Sequence, residues 1–90
     1  MNFEWDEFKS RTNKSKHGID FETAKGIFLD ENRVEIIAPY PIEERFIIIG
    51  KINGKLWTVI FTTREGFIRI ISARRSRKKE VKLYEKKDIG

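Results

Sequence analysis

The sequence predicts an α+β fold: two N-terminal helices, a four-stranded antiparallel meander and a basic C-terminal helix. Three observations carry this. Asp residues stand before two short helical segments, the first of which is stopped by Gly. Four apolar, β-branched stretches then follow one another between turn signals, and the last of them passes into basic, helix-forming sequence.

The elements can be justified in order. "NFEW" is a short extended opening, and Asp6 is placed to cap a helix running through "EFKSRTNKSKHG" to Gly18, a natural stop. The apolar face of this helix is poor; Phe8 is its expected anchor, with Trp5 just outside. Asp20 caps a second helix, for which Ile19 and Ala24 have staple spacing. Its face is Phe21, Ala24 and Phe28 with Ile27 beside them, and its expected end is near Asp30. "RVEIIA" is the first strand of the meander and the Pro-containing "PYPIEE" a connection. "RFIIIGKI", an "NG" type I′ turn, "KLWTVIFTT", a turn at "REG" and "FIRIISA" complete it. The unbroken apolar runs "FIIIG" and "TVIF" suit central strands covered on both faces. In "RRSRKKEVKLYEKK", Val81 and Tyr84 share one face of a helix and basic residues take the rest. Without an internal repeat, linker or low-complexity stretch, residues 1–90 are expected to form one domain.

With 39% hydrophobic residues, seven Phe and two Trp, the chain can fold. Its core must be thin, because a domain of this size buries only about 60–65% of its unfolded surface. There is no Cys, which excludes disulfides and thiolate metal sites, and a single His argues against a His/Cys zinc centre. No cofactor is expected. The opening "MNFEWDEF" lacks an apolar signal region and no apolar run reaches membrane-spanning length, so a cytoplasmic location without a membrane partner is expected. The net charge of +5 is unevenly divided. Residues 1–44 carry six Lys/Arg against ten Asp/Glu and residues 45–90 thirteen against four, so the halves stand at −4 and +9. Such asymmetry suggests a polyanionic partner for the second half.

The candidates for chemistry follow from that partner. Cutting RNA without a metal requires the 2′-hydroxyl to lose a proton, the pentacoordinate phosphate to be stabilised and the leaving 5′-oxygen to gain a proton. Arg45, Arg64, Arg74 and Arg75 are candidates for holding phosphate. Arg74 and Arg75 leave the end of a strand, where a guanidinium can be aimed. Arg45 lies beside Glu43 and Glu44, and Arg64 beside Glu65, so each also has a reading as a local ion pair. His17 and Tyr84 are the leading candidates for proton transfer, with Glu4 and Glu44 weaker. His17 has a second reading as a helix C-terminal cap, Tyr84 as a core residue, and Trp5 as either a lid on the core or a stacking platform for a base.

The ordered segments "FEWD", "NKSKHGIDFETA", "IFLD", "EERFIIIG" and "IRIISARRSRKKEVKLYE" resemble the BrnT family of toxin–antitoxin toxins along nearly the whole chain. The resemblance implies a RelE-like ribonuclease toxin that inhibits translation by cutting RNA. It implies a BrnA-type antitoxin as partner, and contact with DNA only indirectly, through that antitoxin. The family's recurring positions fall on Trp5, Lys16, His17, Arg45, Arg69, Arg74, Arg75, Glu80 and Tyr84; Arg77 departs from its pattern, where a smaller polar residue is expected. The expected catalytic set is therefore Arg45, Arg74, His17 and Tyr84, and the expected RNA-binding set Arg64, Arg69, Arg75, Lys16 and Trp5. The alternative is a module that binds RNA or a protein partner without cutting. A DNA-binding regulator ranks below both, since no helix-turn-helix spacing is present.

Overall fold

The structure, a computed structural model, describes residues 1–38 and 43–89, with side chains as far as residue 86. Strand β1 (Asn2–Glu4) leads into helix α1 (Glu7–His17) and the short α2 (Phe21–Ala24), which tightens into a 3-10 turn over Lys25–Leu29. Strands β2 (Val34–Ala38), β3 (Arg45–Ile52), β4 (Lys55–Arg64) and β5 (Phe67–Arg75) follow, then helix α3 (Lys78–Ile89). Residues 39–42 of the expected "PYPIEE" connection lie outside the described residues.

The hairpin turns fix the sheet. Asn53 and Gly54 both have positive φ, 51° and 80°, as do Glu65 and Gly66, 50° and 83°, which is the signature of two-residue type I′ turns. They generate the expected meander β2–β3–β4–β5. The sheet has a fifth strand that the sequence reading treated only as an extended opening, because three residues are too few to show a period. It is β1, parallel to β5 with Asn2 opposite Phe67 and Glu4 opposite Arg69, giving the order β1-β5-β4-β3-β2.

The pleat sorts the strands into two faces. On one, Ile48, Val59, Phe61, Ile70 and Ala73 meet Ile19, Phe21, Ala24, Ile27 and Phe28 in the main core. The register of β4 with β5 shifts once. Phe61 lies opposite Ile70 but Ile60 opposite Ser72, so Ile71 is an extra residue in β5. Beyond this bulge the alternation of β5 is reversed: Ala73, not Ser72, returns to the core, and Arg74 turns to the other face beside Thr58.

Helix α1 is held by polar contacts, which overturns the expectation for Phe8. That ring is 69% exposed, and the buried residues of α1 are Ser10 and Asn13. The Ser10 hydroxyl accepts the Phe21 N–H at 2.9 Å. The Asn13 amide donates to the carbonyls of Ile19 and Ala73, each at 2.8 Å, while its oxygen accepts the Ala73 N–H at 3.3 Å. Asn13 thus bonds both backbone groups of Ala73 on the side of β5 where β1 has already ended. Its side chain replaces a strand. Asp6 caps α1 through the Lys9 N–H, Asp20 caps α2 through the Thr23 N–H, and Gly18 ends α1 in the left-handed region at φ 81°, all as expected.

This polar attachment predicts opposite responses on one helix. Asn13→Ala orphans buried backbone groups and should lower unfolding stability by roughly 2–4 kcal/mol. Phe8→Ala should stay within about 0.5 kcal/mol of the parent protein. Urea unfolding midpoints of the two variants check the pair.

Candidate functional site

The second face of the sheet is shared between a covered end and an open one. At the covered end, Glu80 in the first turn of α3 binds three elements together. Its carboxylate accepts both ends of the Arg74 guanidinium at 2.8 Å each, the Thr58 hydroxyl at 3.0 Å and the Arg77 N–H at 2.7 Å. The last of these is the backward reach of a capping box, so the same residue starts the helix and seats it on β4 and β5. The hydrogen-bonded Arg74 guanidinium, helped by the Arg77 N–H and the Thr58 hydroxyl, holds the Glu80 carboxyl at about 2, well below the ordinary 4.5 and against the effect of burial. Glu80 in turn raises the pKa of Arg74. Farther along α3, Tyr84 is 3% exposed and donates its hydroxyl to Asp30 at 2.7 Å. The Asp30 carboxylate also accepts the Lys51 and Asn32 N–H groups.

At the open end, the start of β3, the end of β4 and the first half of β5 form a cleft of about 310 Å³. Lys9, Glu43, Arg45, Thr62, Arg64, Arg69 and Ile71 line it. Thr62 and Arg64 stand two residues apart on β4, so they share a face, and Thr62 lies opposite Arg69 in register. Arg45 precedes Phe46, whose partner Phe61 precedes Thr62, which brings Arg45 to the other flank of Thr62. The Thr62 side chain is nearly buried and donates to the Glu44 carbonyl at 2.8 Å, fixing the floor. Four cations from four elements therefore face one space. Glu43 is the carboxylate among them, 3.4 Å from Arg45, while Arg69 makes a longer contact of 3.8 Å with Glu4. A mainly cationic lining on backbone-fixed strands suits a polyanion. Along α1 a second depression of about 330 Å³ adjoins the cleft, sharing Lys9 and Ile71 with it and lined further by Phe8, Thr12, Asn13, Lys16, His17 and Ser72.

Residues 5–80 match the family model described as the ribonuclease toxin BrnT of type II toxin–antitoxin systems, which includes every residue lining the cleft. The chain belongs to the BrnT family. No curated protein matches it. As a BrnT ribonuclease toxin, it has RNA as its substrate and a cognate antitoxin as its counterpart. No helix of the described residues is long and apolar enough to cross a membrane.

Against this geometry, the residues singled out in the BrnT sequence divide. Arg45, Arg64 and Arg69 meet in the cleft, and Lys16 and His17 line the adjoining depression. Arg74 lines neither; both ends of its guanidinium are held by Glu80. Tyr84 is packed under α3 with its proton donated to Asp30. Trp5 packs against the core and its indole N–H donates to Glu7 at 3.2 Å. Arg75 stands on the opposite side of β5 from Arg74, its guanidinium 5.4 Å from the centre of the Trp57 ring across the sheet. Lys9, Glu43 and Thr62 join the cleft without having been singled out. The signal for Thr62 was its spacing of two from Arg64 on one strand; Lys9, from another element, had none.

The Glu80 cluster gives a pH prediction. A carboxyl held below its unfolded value stabilises the fold fully above pH about 4.5, and that contribution disappears as pH falls towards 2. A shift of this size corresponds to at most about 3 kcal/mol. Unfolding free energy measured between pH 7 and pH 2.5 should fall steeply in the parent protein and less steeply in Glu80→Gln. The slope that remains comes from Asp20 and Asp30. Hydrogen bonds from Thr23 lower the Asp20 carboxyl; burial raises that of Asp30, but the Lys51 N–H and Tyr84 hydroxyl outweigh it.

Proposed function

We propose that this BrnT chain is an endoribonuclease that cuts RNA through the 2′-hydroxyl and thereby inhibits translation, with the cationic cleft as its active centre. The observation that carries this reading is the convergence of Lys9, Arg45, Arg64 and Arg69 around one carboxylate in a cleft of about 310 Å³. In the proposed step the 2′-hydroxyl loses its proton and its oxygen attacks the adjacent phosphorus. The bond from phosphorus to the 5′-oxygen breaks and that oxygen takes up a proton. The products are a 2′,3′-cyclic phosphate and a free 5′-hydroxyl.

Within this scheme Arg45 and Arg64 face the charge that develops on the non-bridging oxygens, and Lys9 and Arg69 position the backbone on either side. Donors aimed at developing charge contribute about 10²–10³ in rate each. Glu43 inside the cleft and His17 in the adjoining depression are assigned the two proton transfers. Arg74 and Tyr84 move from the expected catalytic set to the framework, since the hydrogen-bonding groups that catalysis would use are engaged by Glu80 and Asp30. The proposed reaction uses no metal: a lining of four cations and one carboxylate repels a divalent ion. A BrnA-type antitoxin would silence the toxin and supply any contact with DNA.

Arg64→Ala provides the test, because Arg64 is exposed at a strand end and its removal leaves the core intact. The expected outcome is cleavage slowed about 10²-fold or more, with RNA affinity reduced far less and the parent enzyme active in excess chelator. A folded parent protein that binds RNA yet releases no cyclic-phosphate fragments would establish the binding-module reading instead.

A further inference from the structure

The depression beside the cleft combines features that the cleft lacks. Its surface is mainly apolar, no carboxylate lines it among the described residues, and the Phe8 ring stands at its wall with 69% of its surface exposed. An exposed Phe on its own needs no explanation. This one is next in sequence to Lys9, which lines both spaces, and it faces the same depression as Ile71, the bulged residue that forms the partition between them. A polar, cationic space and an apolar, aromatic one thus adjoin. Those are the two chemistries that a nucleotide presents, phosphate and base.

We propose that this depression is a nucleobase subsite in which the base flanking the cut phosphate stacks on Phe8. The inference rests on the cationic cleft being the active centre. Stacking leads over hydrogen-bond readout here, because the lining is mainly apolar and two of its polar side chains, Thr12 and Asn13, are already engaged. The Thr12 hydroxyl donates to the Phe8 carbonyl at 3.0 Å, and the Asn13 amide is used on Ile19 and Ala73. Such a site holds any base with a π-face and discriminates weakly among them. Another apolar depression, bounded by Met1, Phe3, Phe28 and Leu29, shares no residue with the cleft, and its Lys25 is paired with Glu22 at 2.9 Å.

The experiment uses the full chain and a short RNA with one cut site, in which each nucleotide flanking the cut is replaced in turn by an abasic ribose. The parent protein should lose about 5- to 150-fold in affinity at one of these positions, the range expected for losing one stacked base. Phe8→Ala should show the same loss on intact RNA and little further loss on that abasic substrate, with the salt dependence of binding unchanged because the phosphate contacts remain. Phe8→Trp should retain parent affinity. The inference is overturned if Phe8→Ala binds intact RNA like the parent, if the two losses multiply, or if the substitution weakens only the hold of the antitoxin. Phe8→Ala folds, judged by matched circular dichroism, since it removes an exposed side chain from a helix. Failure of the underlying reading shows separately, as an Arg64→Ala protein that cleaves intact RNA as fast as the parent.

Discussion

The register between β4 and β5, with its one extra residue at Ile71, is the constraint on which the arrangement of charge depends. Before the bulge, Arg69 stands opposite Thr62 on the open face; after it, Arg74 stands opposite Thr58 on that same face although five residues separate the two arginines. A regular strand would have put them on opposite sides of the sheet. The bulge therefore gives the second face an arginine at each end. One end is closed by α3 and Glu80, and the other remains open as the cleft. Ile71 itself lines the boundary between the two depressions, so the irregularity that redirects the strand also shapes the candidate site.

Charge density and charge availability diverge in this molecule. The densest cationic run, from Arg74 through Lys79, contributes its best-fixed guanidinium to an ion pair that anchors a helix. The cleft draws instead on four cations scattered from residue 9 to residue 69. A partly buried pair with several additional donors is rigid, and a rigid pair keeps that end of the sheet in place while the opposite end stays open as the cleft. Glu80 and Asp30 do this work at different points of α3. One joins its first turn to β4 and β5; the other joins its middle to the segment before β2 and to the N–H of Lys51 in β3.

Much of the fold was legible in local chemistry. Asp6, Gly18 and Asp20 carry their cap geometry in their own side chains or backbone freedom, "NG" specifies a type I′ turn, and "REG" marks a turn whose type its residues do not specify. What escaped was non-local. β1 is three residues whose identity as a strand comes from β5, and the bulge leaves no trace in an apolar stretch such as "FIRIIS". The cationic cleft followed the same division: Arg45, Arg64 and Arg69 were recognisable as strand arginines, but nothing local distinguished them from Arg74, which Glu80, six positions on, holds in an ion pair. Phe8 was misassigned because the sequence offered α1 no other apolar anchor. Nothing in the spacing of Ser10 and Asn13 announces that the buried face of a helix can consist of hydrogen-bonding side chains.

Asn13 carries one further consequence. A β-strand whose outer backbone groups are unpaired is a template on which another chain can grow. β1 protects only the first three residues of β5, and the Asn13 amide occupies both backbone groups of Ala73 just where a longer neighbour would have continued. A toxin must at times exist apart from the protein that silences it. For such a chain, a side chain that imitates a missing strand is a safeguard against self-assembly along that edge, achieved with one residue and without lengthening the sheet.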